Sequence, residues 1–189
     1  MKATGRDRRR LAAAAALALL PAAARAMPVP TGELRPRLPA PAITLTGADG
    51  RPYPLATRLR GHATAVQLMF TGCSTTCPPQ AALFGALASA LPPQAQLLSI
   101  SIDTLGDDAP ALARWLQRLG ATPAWQAAVP AARDLGTLVA WLRGDGARDD
   151  THTAQVFLVD AEGRLCYRSG DMPPARSTVA MLGALARGA

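Results

Sequence analysis

Apolar residues along this chain fall into two alternating patterns, short unbroken runs and four-residue spacings. "TAVQLMFT" (64–71) and "AQLLSISID" (95–103) are near-continuous runs of strand length, the pattern of strands covered on both faces. Between them, "PPQAALFGALASAL" (78–91) sets Leu83, Leu87 and Leu91 four apart and opens on prolines, which suit a first helical turn. "APALARWLQRLG" (109–120) predicts a helix stopped by Gly120, and "ARDLGTLVAWLRG" (132–144) predicts another. After the polar loop "DGARDDTHT" (145–153), "AQVFLVD", the turn "AEGR" and "RLCYRSG" predict a final hairpin, and "PPARSTVAMLGALARG" (173–188) contains the last helix. Upstream, "AITLTGADGRPYPLAT" (42–57) predicts two short strands about an Asp49-Gly50 turn. The alternation of strands and helices makes an α/β fold with a mixed central sheet, helices on both faces and an N-terminal β-hairpin extension. In such sheets sites gather at the carboxyl ends of the strands.

The beginning of the chain reads differently. "MKATGRDRRR", the apolar "LAAAAALALLPAAA" (11–24) and "ARA" have the order of a secretory signal peptide, so residues 1–26 are expected to be a cleaved leader. An apolar stretch of 14 residues is short of the roughly 20 a membrane span needs. Residues 27–41, rich in proline, read as an extended arm or linker, and residues 42–189 as the folded domain.

Removing the leader changes the meaning of the charge. The formal net charge of +7 rests on 20 basic and 13 acidic residues, and the leader holds six of the former and one of the latter. The remainder is left at +2 with no lysine, so no basic patch points to nucleic acid, and membrane contact is expected only through an uncleaved leader.

Export also changes the reading of the cysteines, because disulfides, metal sites and reactive thiols are favoured under different redox conditions. In "LMFTGCSTTCPPQ" (68–80), Cys73 and Cys77 follow a strand and precede a helix. Pro78 and Pro79 predict that the regular helix begins at Pro79 or slightly before, with both cysteines in the turn leading into it. A helix amino terminus favours negative charge and is expected to lower the thiol pKa from about 8.5 to near or below 7, with Ser74, Thr75 and Thr76 available as caps. A turn of this length can bring the two sulfurs into a disulfide or aim both at one ion. A purely structural staple is the plain alternative, but it would close a very short loop and contribute little entropy. Cys166, in a strand pattern, reads as a buried inert thiol. His62 reads as a turn residue, and His152 by itself as a solvated loop residue.

Together these motifs resemble the Sco/SenC family of the thioredoxin superfamily. The likeness is carried by "LTGADGRPYPL", "LRG", "FTGCSTTCP", "SISID" with "DDAP", and "HTAQVFLVDAEGRL". It departs at Ser74-Thr75, where the family often has Pro-Asp, and at Thr104, where proline is common. The resemblance implies a thioredoxin-like fold and copper ligands at Cys73, Cys77 and His152. Two thiolates and an imidazole suit Cu(I) and are usable by Cu(II). It further implies a periplasmic copper chaperone that delivers copper to, or keeps reduced the cysteines of, the copper-centre subunit of cytochrome c oxidase. Other periplasmic copper carriers or thiol reductants are the further partners expected. Two alternatives use the pair without metal: a thiol-disulfide oxidoreductase, with Cys73 and Cys77 as its redox-active pair, and a peroxiredoxin-like peroxidase based on Cys77-Pro78.

Overall fold

The structure is a computed structural model that describes residues 31–144 and 153–188. Residues 1–30, which include the expected leader, and residues 145–152, which include His152, lie outside the described residues.

Among the described residues eight strands form one sheet: β1 (Gly32–Pro39), β2 (Thr44–Gly47), β3 (Pro52–Pro54), β4 (Ala63–Met69), β5 (Ala95–Ser101), β6 (Trp125–Pro130), β7 (Gln155–Val159) and β8 (Arg164–Asp171). Their order is β1-β8-β7-β4-β5-β6-β2-β3. The centre, β4-β5-β6, is parallel, and every other pairing is antiparallel, so the sheet is mixed as expected. It is covered by the helices α1 (Leu55–Leu59), α2 (Cys77–Ser89), α3 (Ala109–Arg118), α4 (Leu135–Arg143) and α5 (Ala175–Ala186). This is the predicted α/β, thioredoxin-like plan. Among the described residues no helix is long and apolar enough to cross a membrane.

Side-chain alternation along each central strand feeds two cores. Ala63, Ala65 and Met69 of β4 face Phe84 and Leu87 of α2, Leu112 and Trp115 of α3, and Leu182 of α5. Val66 and Leu68 face the other way, toward Leu55 and Leu59 of α1 and Leu138 and Leu142 of α4. All seven β4 residues are therefore buried, which is why its sequence shows no period of two. Trp125 anchors the first core, its ring 5.9 Å from Phe84 and 5.8 Å, edge-on, from Trp115.

Several elements differ from the sequence reading. No element was expected in "ATPAWQAAVPA", yet Trp125–Pro130 is a buried parallel strand. Alanine and flanking prolines disfavour strands locally, and pairing with β5 overrides that preference. The expected hairpin is β2 and β3, with Gly50 at φ 76° in its turn, and it joins the sheet through β2 and β6. Residues 32–39, inside the proline-rich segment, form edge strand β1, where Pro36 and Pro39 cost no central ladder bonds. Helix α2 starts at Cys77, two residues ahead of Pro79, because Pro78 and Pro79 fall within a first turn that needs no donors from them.

Candidate metal and thiol site

Strand β4 ends at Met69, and the chain turns through Phe70, Thr71 and Gly72 before Cys73. The Cys73 N–H donates to the Phe70 carbonyl at 3.2 Å, closing the turn. Cys77 then begins α2, and its N–H donates to Cys73 Sγ at 3.3 Å. None of the expected caps acts as one: the N-cap Thr76 makes no side-chain cap bond, and the Cys73 sulfur receives a first-turn N–H in its place.

This arrangement separates the two thiols. At Cys73 partial burial opposes ionisation, but hydrogen bonds from the Cys77 thiol and N–H and from the backbone and hydroxyl of Thr75 outweigh it, bringing the thiol down to about 7. Cys77 goes the other way. Burial pushes it up to about 12, helped by its hydrogen bond to Cys73 and by the charges of Cys73 and Asp107. The expectation that the helix terminus lowers both thiols therefore holds for Cys73 alone, because Cys77 is 7% exposed and desolvation dominates there. All three cysteines are free thiols.

A buried carboxylate holds the turn from below. Asp107 accepts from the Thr71 N–H (2.9 Å), the Thr71 hydroxyl (2.6 Å) and the Ser101 hydroxyl (2.6 Å). Its neighbour Asp108 caps α3 through the Ala111 N–H at 2.8 Å. The first Asp of "DDAP" thus ties the loop after β5 to the cysteine turn, and the second starts the next helix.

Strand β7 approaches from the other side. It runs antiparallel to β4 with Val66 opposite Phe157, a register that carries Thr153 to the level of Phe70. Thr153 and Cys77 line the same small cleft, together with Phe70 and Thr76. The start of β7 is well fixed: Asp171 accepts from the Ala154 N–H (3.1 Å), the Met172 N–H donates to the Ala154 carbonyl (3.0 Å), and Gln80 of α2 donates to the Gln155 carbonyl (3.0 Å). Sequence reasoning missed Asp107, Asp171 and Gln80; only Asp107 left a trace, in the acidic pair before a helix.

The structure brings Cys73 and Cys77 together, whereas Cys166 and His62 stand apart from them. Cys166 is buried in β8, its thiol donates to the Leu158 carbonyl at 3.2 Å, and burial pushes it up to about 11. His62 lies exposed ahead of β4, at the other end of the sheet. Among the described residues no group of three His, Cys, Asp or Glu side chains could hold a metal ion, and His152 is outside them.

A thioredoxin-like sheet with a Cys-x-x-x-Cys turn where its central strand meets a helix defines a class of thiol proteins that includes metal carriers and redox enzymes. Within that class, the SCO1/SenC family model matches residues 40–186, and the chain belongs to that family. A SCO1/SenC family lipoprotein from Bacillus anthracis str. Ames shares the fold with a TM-score of 0.65 and 22% identity, over 80% of this chain and 96% of that one. Arabidopsis thaliana ScoI with copper bound aligns with a TM-score of 0.64 at 16% identity, over 78% and 97% of the two chains. BsSco, a member of the Sco family of cytochrome c oxidase assembly proteins in which a disulfide switch has been identified, aligns with a TM-score of 0.67 at 18% identity, over 80% and 95%. No curated protein sequence matches the chain.

Proposed function

We propose that the protein is an exported copper carrier that binds one copper ion, Cu(I) or Cu(II), through Cys73, Cys77 and His152. It passes the ion, in the periplasm, to the copper-centre subunit of cytochrome c oxidase. The observation that carries the reading is the cleft shared by Cys77 and Thr153: the residue directly after His152 lines the same small cleft as the second thiol. Membership of the SCO1/SenC family and the copper-bound ScoI relative support the choice of metal. Two thiolates and an imidazole form a soft set with a coordination position left for a receiving ligand. Since the thiols must lose protons on binding, loading releases protons, and the high pKa of Cys77 makes it pH-dependent.

One observation favours a second reading. An accessible thiol near 7 beside a buried thiol near 12 is also the arrangement of an attacking and a resolving cysteine in disulfide exchange. The peroxidase alternative fares worse, because it needs Cys77 as the thiolate and burial keeps that thiol protonated. His152→Ala separates the two remaining readings, since only a metal site needs a third ligand. Cu(I) competition with a chelator should show a loss of about 10-fold or more, by analogy with metal-site substitutions, while the rate of reaction with a small disulfide changes far less. Unchanged copper affinity with a crippled exchange rate would favour the oxidoreductase.

A further inference from the structure

A second feature lies at the opposite end of the sheet, where β4 and β6 begin. There a cavity of about 930 Å³ opens between the tip of the β2-β3 hairpin, the connection from α1 to β4 and the loop after α3. That is near the upper end of the roughly 300–1,000 Å³ typical of small-molecule sites.

Its two sides differ in chemistry. One is apolar, built from Leu116, Ala121 and Trp125. Trp125 is rigid there, because its indole N–H donates to the buried Ser99 hydroxyl at 2.9 Å and its ring packs on Phe84 and Trp115. The other side carries Arg58, Arg60 and His62 against one carboxylate, Asp49, whose own nearest cation is Arg51 at 4.0 Å. Tyr53 and Arg58 line this side, and beneath it the Tyr53 hydroxyl and Arg58 Nε are closed off from solvent with no hydrogen-bond partner among the described residues. Native structures seldom leave buried donors unpaired, and each such group calls for an explanation. Gly47 lets the hairpin fold this way: a Cβ there would stand 2.7 Å from Asp49 Oδ1 and 3.2 Å from the Tyr53 ring.

We propose that this cavity binds a small organic anion, its carboxylate or phosphate met by the guanidinium groups of Arg58 and Arg60 and its apolar body lying on Leu116, Ala121 and Trp125. The excess of cations calls for negative charge, and the apolar wall calls for a hydrocarbon or aromatic part. The proposal is independent of the copper reading, because the cavity and the cysteine turn stand at opposite ends of the sheet.

Titration of the isotope-labelled reduced protein with 3-phenylpropionate and phenyl phosphate, followed by amide NMR shifts, tests it, with phenethylamine as the cation of similar shape. Saturable shifts are expected at residues 47–62 and 116–127, with a dissociation constant on the order of 1 mM for ligands of this size. The tighter of the two anions assigns the acid group. Arg58→Gln should weaken binding about 10-fold, the loss of one charge-assisted contact. Should that variant fail to fold, the exposed Arg60→Gln decides, with a loss of several-fold. Equal binding of the amine, shifts confined to the Cys73–Cys77 turn, or unchanged affinity in Arg60→Gln would overturn the proposal.

Discussion

The two thiols of the cysteine turn differ enough in acidity for a pH series of alkylation to measure. With Cys73 at about 7, roughly a tenth of it is thiolate at pH 6, against roughly 0.3% of an ordinary thiol of pKa about 8.5, an excess of about 30-fold. A less basic thiolate is also a weaker nucleophile. A Brønsted slope of about 0.4–0.5 over roughly 1.5 pKa units removes about 5-fold of that advantage, so Cys73 should react about 6-fold faster than an ordinary thiol at pH 6. Cys77, at about 12, is thiolate to only about one part in a million at that pH and should stay unmodified while Cys73 reacts. Reduced, metal-free protein would be treated briefly with iodoacetamide between pH 5 and 9, and the modified peptides quantified by mass spectrometry. The rate at Cys73 should rise with a midpoint near 7 and flatten above about 8. Modification of Cys77 ahead of Cys73, or a Cys73 midpoint at 8.5 or above, would refute the account of the turn in which the Cys77 N–H and Thr75 hold a Cys73 thiolate.

Two further substitutions probe the scaffold. Asp107→Asn puts an amide where a carboxylate accepts three hydrogen bonds; it should cost about 1–3 kcal/mol in urea unfolding and lower the Cys77 pKa, read from thiolate absorbance, because the Asp107 charge helps to raise it. Cys166→Ser keeps a donor for the Leu158 carbonyl, so copper stoichiometry and the urea midpoint at pH 7 should stay close to wild type. Because burial raises the Cys166 pKa, its contribution to stability is fully present below the unfolded value of about 8.5 and is lost as pH climbs toward 11. Serine does not titrate there, so the variant should lose less stability than wild type between those limits.

How much of the fold was legible depended on whether local pattern and tertiary pairing agreed. In β4, β5 and α2 they agreed, since unbroken apolar runs and four-residue leucine spacing are what burial on two faces and on one face require. In β6 they conflicted: "WQAAVP" has two alanines and a closing proline and becomes a strand through its pairing with β5 and the packing of Trp125 against α2 and α3. Edge strand β1 carries two prolines and an irregular register between Glu33 and Leu38, so no period of two marks it. Both cases depend on neighbours distant in sequence, which single-sequence pattern cannot supply.

At the site, legibility ended where burial begins to differ between adjacent turns of chain. Residue type and position, two cysteines between a strand and a proline-marked helix, were enough to expect thiol chemistry and a helix terminus favouring thiolate. That field acts on both cysteines, so taken alone it predicts two acidic thiols. What separates them is that Cys73 precedes the helix on a partly exposed turn and accepts the Cys77 N–H, while Cys77, as the first helical residue, turns inward against the core that holds Met69 and Phe84. Desolvation of a buried thiol can exceed the stabilisation available from a helix end, and at Cys77 it does so with Asp107 adding a like charge nearby. Asp107 itself is there for a structural reason, as the acceptor that fastens Thr71 and Ser101 at the ends of two parallel strands. The asymmetry of the pair therefore follows from where the helix begins: α2 starts at Cys77, which is buried as its first residue, while Cys73 stays in the turn ahead of it and accepts the Cys77 N–H.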